Sequence, residues 1–242
     1  MQANDLTRPA SLTVHELMDD PACTEDLLRP DLEDLGRINR VTGAANFVRA
    51  YLDRLVPLWR RSRTPGAPLS LLDVGTGGAD IPRAVARWAV RRGVPVRIVA
   101  VDRHPVTARL AAEASAAFSA IEVVRADARA LPFRDGAFDA CLCSLALHHL
   151  EPEERPALVR RLDRLGRLGF FIMDLVRSPA ARAGVWLLTR CFRNPHIRAD
   201  GPRSVERAYS WREYREMVTA AEIPNLTVRR VPVFRAALER LG

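Results

Sequence analysis

Two hydrophobic periods divide the chain. Between residues 12 and 62 apolar side chains recur every three or four positions, at Leu27, Leu28, Leu32, Leu35, Ile38 and Val41 and again at Phe47, Val48, Leu52, Leu55 and Val56. This spacing predicts amphipathic helix, an N-terminal helical arm. RTPGAP at 63–68 carries two prolines and a glycine and reads as a linker, so residues 1–66 form the arm and 67–242 a second unit. Beyond the linker, short continuous apolar runs at Leu69–Val74, Val96–Val101, Ile121–Val124, Phe138–Cys143 and 168–174 alternate with amphipathic stretches over 81–92, 105–118 and 153–165. Strands apolar along their whole length are covered on both faces, which predicts a doubly wound α/β unit with a parallel sheet. Helices near 179–190 and 211–221 and strand-like runs at 226–231 and 233–238 complete the reading, without internal repeats.

Composition narrows the class. Of 242 residues, 48% are hydrophobic and 27% charged, as in ordinary globular chains. The net charge of +8 raises the question of nucleic acid, yet all 37 basic residues are arginines, since the sequence contains no lysine, and they are scattered through every segment. Compositional bias explains that distribution better than a phosphate-binding patch, and nucleic acid is disfavoured as a partner. Runs such as Arg60, Arg61 and Arg63, or Arg160, Arg161, Arg164 and Arg167, have the spacing of solvated helix faces. Cys23, Cys141, Cys143 and Cys191 offer no CxxC pair, and Cys141 and Cys143 fall on one strand face, so buried free thiols are expected. The N-terminus lacks the basic-then-apolar order of a signal peptide and no run is long enough to span a bilayer, which points to the cytoplasm.

The chemistry centres on LLDVGTGGAD, residues 71–80. A strand followed by Gly75, Thr76, Gly77 and Gly78 and then a helix is the place where a doubly wound sheet receives a ligand. A tight turn holding nothing reads the same way from the glycines alone. The neighbours discriminate. A dinucleotide fingerprint needs another glycine at the position of Asp80, whose carboxylate repels a pyrophosphate; Asp80 reads instead as the helix N-cap. No lysine follows, which excludes a P-loop. Asp73 suits a cationic ligand group, Asp102 at the end of the second strand suits a ribose diol, and Asp127 after the third suits an adenine amino group. S-adenosylmethionine, with an ammonium, a sulfonium, a ribose and an adenine but no phosphate, satisfies all three.

With these residues in place, 69–174 resembles the class I S-adenosylmethionine-dependent methyltransferases. The likeness rests on the acid-x-Gly-x-Gly turn, on Asp102 and Asp127, and on LPFRDGAFDACLCSLALHHL at 131–150, which is similar to the ubiquinone/menaquinone-biosynthesis-like small-molecule branch. It implies a Rossmann-like sheet of seven strands with the last antiparallel. It implies a cofactor site built from Asp73, Gly75, Thr76, Gly77, Asp102 and Asp127. Arg103, Ala128 and Ser144 complete that site. Ala79 departs from the family pattern, which often has a third glycine there.

His148 and His149, after the fourth strand, are the catalytic candidates: a neutral imidazole can take a proton from a phenol or enol, and a packing role is the alternative. No metal-ligand spacing is visible, so metal independence is expected. In the arm, Asn39 or Arg40 is placed to reach the cofactor carboxylate or to serve only the helix surface. Trp186, Leu187, Leu188 and Phe192 fit a lid over a hydrophobic acceptor, with core as the simpler expectation. Likeness to enzymes of bacterial polyketide and quinone pathways implies a lipophilic phenolic, quinone or polyketide-type acceptor and O- rather than C-methylation. An RNA or protein methyltransferase and a non-catalytic binding module remain alternatives, although Cys143, Ser144, Leu145 and Ala146 are not an Asn-Pro-Pro-aromatic motif. A homodimer is left open.

Overall fold

A computed structural model describes residues 16–20 and 22–242. The readings of the extreme N-terminus and of helix over 12–15 lie outside them. The arm is two helices, α1 (Glu25–Val41) and α2 (Ala44–Ser62). The periodicity runs on through 42–43, but Gly43 takes φ 69°, a left-handed conformation that ends α1 and turns the chain. A four-membered network of Glu25, Arg29, Arg109 and Glu113 ties α1 to α4 (Pro105–Ser115).

Seven strands follow: β1 (Leu69–Val74), β2 (Val96–Asp102), β3 (Ile121–Arg125), β4 (Phe138–Ser144), β5 (Gly166–Leu175), β6 (Thr227–Val231) and β7 (Arg235–Leu241). They form one sheet in the order β3-β2-β1-β4-β5-β7-β6, and β7 runs antiparallel to both neighbours. The expected seven-stranded sheet with an antiparallel last strand is therefore the observed one. The connections are α3 (Asp80–Arg92), α4, α5 (Arg155–Leu165), the pair α6 (Pro179–Thr189) and α7 (Pro195–Arg207), and α8 (Trp211–Ala221).

Alternation along each buried strand splits the core in two. Leu69, Leu71, Ile98, Phe171 and Met173 face α2 and α3, while Leu72, Val74, Val99, Phe170 and Ile172 face α5 and α8. Val48, Tyr51, Leu52, Leu55 and Trp59 of α2 belong to the first of these cores, so the second arm helix covers the sheet. Cys141 and Cys143 share the other face, and all four cysteines are free thiols.

Two helical expectations change. The run 195–207, to which the sequence reading assigns no element, is α7, with Gly201 and Pro202 inside it. Gly201 is required there: a Cβ at this position would lie 2.6 Å from Thr189 Cγ2 of α6, so glycine permits the close helix pair. Trp186 and Leu187 were expected in the core, but they are 47% and 66% exposed, because α6 buries only Ala181 and Thr189. No helix among the described residues is long and apolar enough to cross a membrane.

Candidate active site

β1 lies between β2 and β4, and the sheet reverses its winding there, which opens a crevice at the carboxyl ends of these strands. A cavity of about 720 Å³ occupies it. The glycine turn forms its floor. Gly75 and Thr76 both donate backbone N–H to Val101 O, at 2.9 and 3.0 Å, which fastens the turn to β2. Gly75 has φ 69°, and a Cβ there would sit 2.3 Å from that of Ala146, so only glycine lets the two loops meet.

Asp102 links this turn to the next helix. Its carboxylate accepts from Gly77 N and His104 N, both at 3.0 Å. Burial raises its pKa against the pull of those two N–H groups. Asp73 is buried behind the turn, and burial, reinforced by Asp80 and Asp102, pushes its carboxyl up to about 7 although the Thr76 hydroxyl opposes the shift. Asp80 is not the N-cap expected. Ala79 occupies that position at φ 55° without a side-chain cap, and Asp80 is the first helical residue, its carboxylate accepting from Asn39 Nδ2 at 3.2 Å. The left-handed backbone of Ala79 explains why glycine suits this position.

Thr76, Arg103, Asp127, Ala128 and Ser144 also line the cavity. Asp127 accepts from Arg129 N at 2.9 Å and from the Arg129 guanidinium, which holds its pKa below the usual carboxylate range. The Ser144 hydroxyl is buried with no hydrogen-bond partner among the described residues. An unpartnered hydroxyl, a glycine cradle and two acids whose pKa values burial raises fit a polar, partly cationic ligand such as S-adenosylmethionine. From the arm, Asn39 lines the cavity but Arg40 does not.

His148 and His149 sit on a single turn of 3₁₀ helix after β4. Their carbonyls are held from below: Arg207 reaches His148 O at 3.0 Å and His149 O at 2.8 Å, and Arg155 reaches His148 O at 3.2 Å. His148 Nδ1 lies 2.6 Å from Asp174 Oδ1, its backbone N–H donates to Asp174 Oδ2 at 2.9 Å, and its Nε2 is 3.5 Å from Glu16 Oε1. Burial opposes a charge on this ring, but Asp174 and Glu16 outweigh it and push its pKa up to about 10. His149 Nδ1 lies 2.9 Å from Asp19 Oδ2.

This gathering is a candidate ligand set that no spacing along the chain revealed. One ligand atom each from Glu16, His148 and His149 lies within 4.8 Å of the others. Sequence spacing could not show it, because Glu16 comes from the segment before α1. Asp174 was missed although it stands next to last in β5 as Asp73 does in β1, with Asp102 closing β2, and that signal was available. Arg235 was missed without any signal. It is buried in the cavity wall, donates to Thr42 Oγ1 at 2.8 Å, and keeps Nε and Nη1 without a partner among the described residues. Leu188, Val185 and Ile197, from α6 and α7, close the apolar side.

Residues 72–173 match the model of a methyltransferase domain family. No curated protein is significantly similar in sequence. Among solved structures, an S-adenosylmethionine-dependent methyltransferase from Aquifex aeolicus is 18% identical with a TM-score of 0.51, over 71% of this chain and 80% of that one. The CMeT domain of the citrinin polyketide synthase is 12% identical with a TM-score of 0.58, and the match spans 76% of this chain but only 49% of that structure. The plantazolicin methyltransferase BamL, in complex with a triazolic desmethylPZN analog and SAH, is 13% identical with a TM-score of 0.55, over 80% and 68% of the two chains. At these identities the likeness is one of fold.

Proposed function

We propose that this chain, whose residues 72–173 match a methyltransferase domain family, is an S-adenosylmethionine-dependent methyltransferase of a small, lipophilic phenolic, quinone or polyketide-type acceptor, acting on oxygen rather than carbon. One observation carries this reading. A single cavity joins the glycine-and-acid cradle to an apolar wall of α6 and α7, with the histidine turn between them. Its volume suits a cofactor beside a compact acceptor. Structures of similar fold include a polyketide synthase domain and a methyltransferase of plantazolicin, which supports a small-molecule acceptor.

When bound, the cofactor supplies an electrophilic methyl group on its sulfonium. In this reading Asp73 faces the ammonium, Asp102 takes the ribose hydroxyls and Asp127 the adenine edge, while Thr76, Arg103, Ala128 and Ser144 shape the rest of the site. Methyl transfer is an in-line displacement, so holding the acceptor against the cofactor does much of the work. A base is needed only where the acceptor must lose a proton. His149 is the better placed of the two for that task, because His148 has a carboxylate near each ring nitrogen. His148 then orients the turn. The buried guanidinium of Arg235 adds positive potential at the acceptor end, which favours an acidic hydroxyl over a neutral alcohol.

Calorimetric titration with S-adenosylhomocysteine, with NADH as control, tests the cradle. Saturable binding of the former alone is expected, followed by transfer of labelled methyl to members of a phenol, quinone and polyketide panel. Absence of binding overturns the cofactor assignments, and binding without transfer to any of the panel overturns the acceptor class.

A further inference from the structure

We propose that Glu16, His148 and His149 bind a divalent first-row transition ion, with Asp19 as a fourth donor and Asp174 as the outer carboxylate. The ion's use in catalysis rests on the methyl-transfer reading above, whereas the site itself does not.

The donor set is the first argument. Imidazole nitrogen with carboxylate oxygen is the mixture that suits zinc, iron, cobalt or manganese rather than calcium, which takes oxygen alone. Glu16 Oε1 stands 3.5 Å from His148 Nε2 and 4.0 Å from His149 Nδ1. Ligand atoms around a tetrahedral zinc at about 2.1 Å lie about 3.4 Å apart. The Glu16–His148 pair already has this spacing and the Glu16–His149 pair must close by about 0.6 Å, while Asp19 Oδ2 is 2.9 Å from His149 Nδ1.

Orientation is the second. A histidine that ligates through one nitrogen usually gives its other to a carboxylate, which fixes the ring and its tautomer. His148 has this arrangement: Nε2 faces Glu16 while Nδ1 is 2.6 Å from Asp174, itself fully buried. Its ring is further fixed against that of His149, with centroids 4.3 Å apart.

The third is an unmet need. Glu16 is 3% exposed, and its Oε1 is buried with no hydrogen-bond partner among the described residues. Three carboxylates, those of Glu16, Asp19 and Asp174, surround the two imidazoles; protonated rings answer them in the ion-free protein, and an ion bound to the neutral rings would supply that positive charge in their place. The site opens into the same cavity as the glycine cradle, and Glu16, Asp19 and both histidines line it. An ion there would replace a free His149 base: it would take the acceptor's hydroxyl oxygen as a further ligand, lowering the pKa of that hydroxyl and holding it beside the cofactor.

The test uses the full chain, stripped with a chelator, desalted, and titrated with Zn²⁺ by calorimetry and with Co²⁺ by visible absorption. About one equivalent of saturable binding is expected, with a cobalt spectrum of mixed nitrogen and oxygen coordination. Glu16→Gln and His149→Ala should each weaken binding at least tenfold. His149 is the diagnostic position because its ring is partly exposed, whereas removing the buried His148 endangers the fold. S-adenosylhomocysteine titrations on the same samples separate the two readings: metal bound without this ligand sinks the cofactor cradle and keeps the ion site. No saturable Zn²⁺ binding overturns the proposal. Binding retained in both variants also overturns it, by placing the ion elsewhere, for example at the exposed Cys191.

Discussion

If Asp73 faces the ammonium of the bound cofactor, ligand affinity must depend on pH near neutrality, and the dependence can be worked out. The free carboxyl has its pKa pushed up to about 7 from the ordinary 3.8, chiefly by burial. An ammonium placed against it favours the ionised form, so the pKa falls on binding and a proton leaves. Below pH 7 this proton must be displaced, and affinity rises with pH; above pH 7 it is already gone, and affinity levels off. A single such group gives about tenfold tighter binding at pH 8 than at pH 6, or ~1.4 kcal/mol. The assay is calorimetry with S-adenosylhomocysteine at both pH values in buffers of differing ionisation enthalpy. It should show nearly one proton released at pH 6 and little at pH 8. Asp73→Asn should bind more weakly and lose the slope. Affinity independent of pH in the unaltered protein, or the same slope in the variant, would refute the assignment. The same burial has a stability signature of fixed sign. With its folded pKa raised above the unfolded value, Asp73 makes the ligand-free protein lose stability as pH climbs from about 4 to 7, and Asp73→Asn should flatten that fall.

Asp102→Ala should weaken S-adenosylhomocysteine binding by about 1–3 kcal/mol, since the lost carboxylate strands Gly77 N–H as well as the ligand's hydroxyls; an unchanged Kd removes the ribose role. His149→Ala should lower turnover far more than it weakens S-adenosylhomocysteine binding, and equal losses in both would make the residue structural. Gly169 has φ 145°, and a Cβ there would lie 2.1 Å from Arg240 O and 2.7 Å from Tyr51 Oη. Urea unfolding of Gly169→Ala should show a loss of ~2–4 kcal/mol, and a loss under 1 kcal/mol would mean that β5 and β7 separate easily. Leu188→Ala should raise the acceptor KM several-fold while leaving S-adenosylhomocysteine affinity intact, which locates the acceptor against α6.

Much of the scaffold is legible in local chemistry. Continuous apolar runs separated by helical periodicity encode a sheet covered on both faces, because burial on two sides leaves no polar positions in a strand. The same locality makes the cradle readable: Gly75 and Gly77 follow a strand directly, and Asp73, Asp102 and Asp127 stand at or near the ends of successive strands that lie side by side. Where a helix must end against its own pattern, local reading fails, as at Gly43, or where glycine and proline sit inside a helix, as in α7. Periodicity identifies an apolar face but not what covers it, so Trp186 and Leu187 look like core and stand in solvent.

By itself, then, the sequence determined the sheet, most of its helices other than α7, and the acids and glycines at its strand ends, because each is fixed by residues adjacent in the chain. Only the tertiary structure decided that Glu16 and Asp19 meet His148 and His149, that Asp174 holds a ring from beneath, and that Arg235 enters the cavity wall. Those meetings join groups far apart in sequence. Their energies depend on burial and on distances of a few ångströms, which no spacing along the chain encodes.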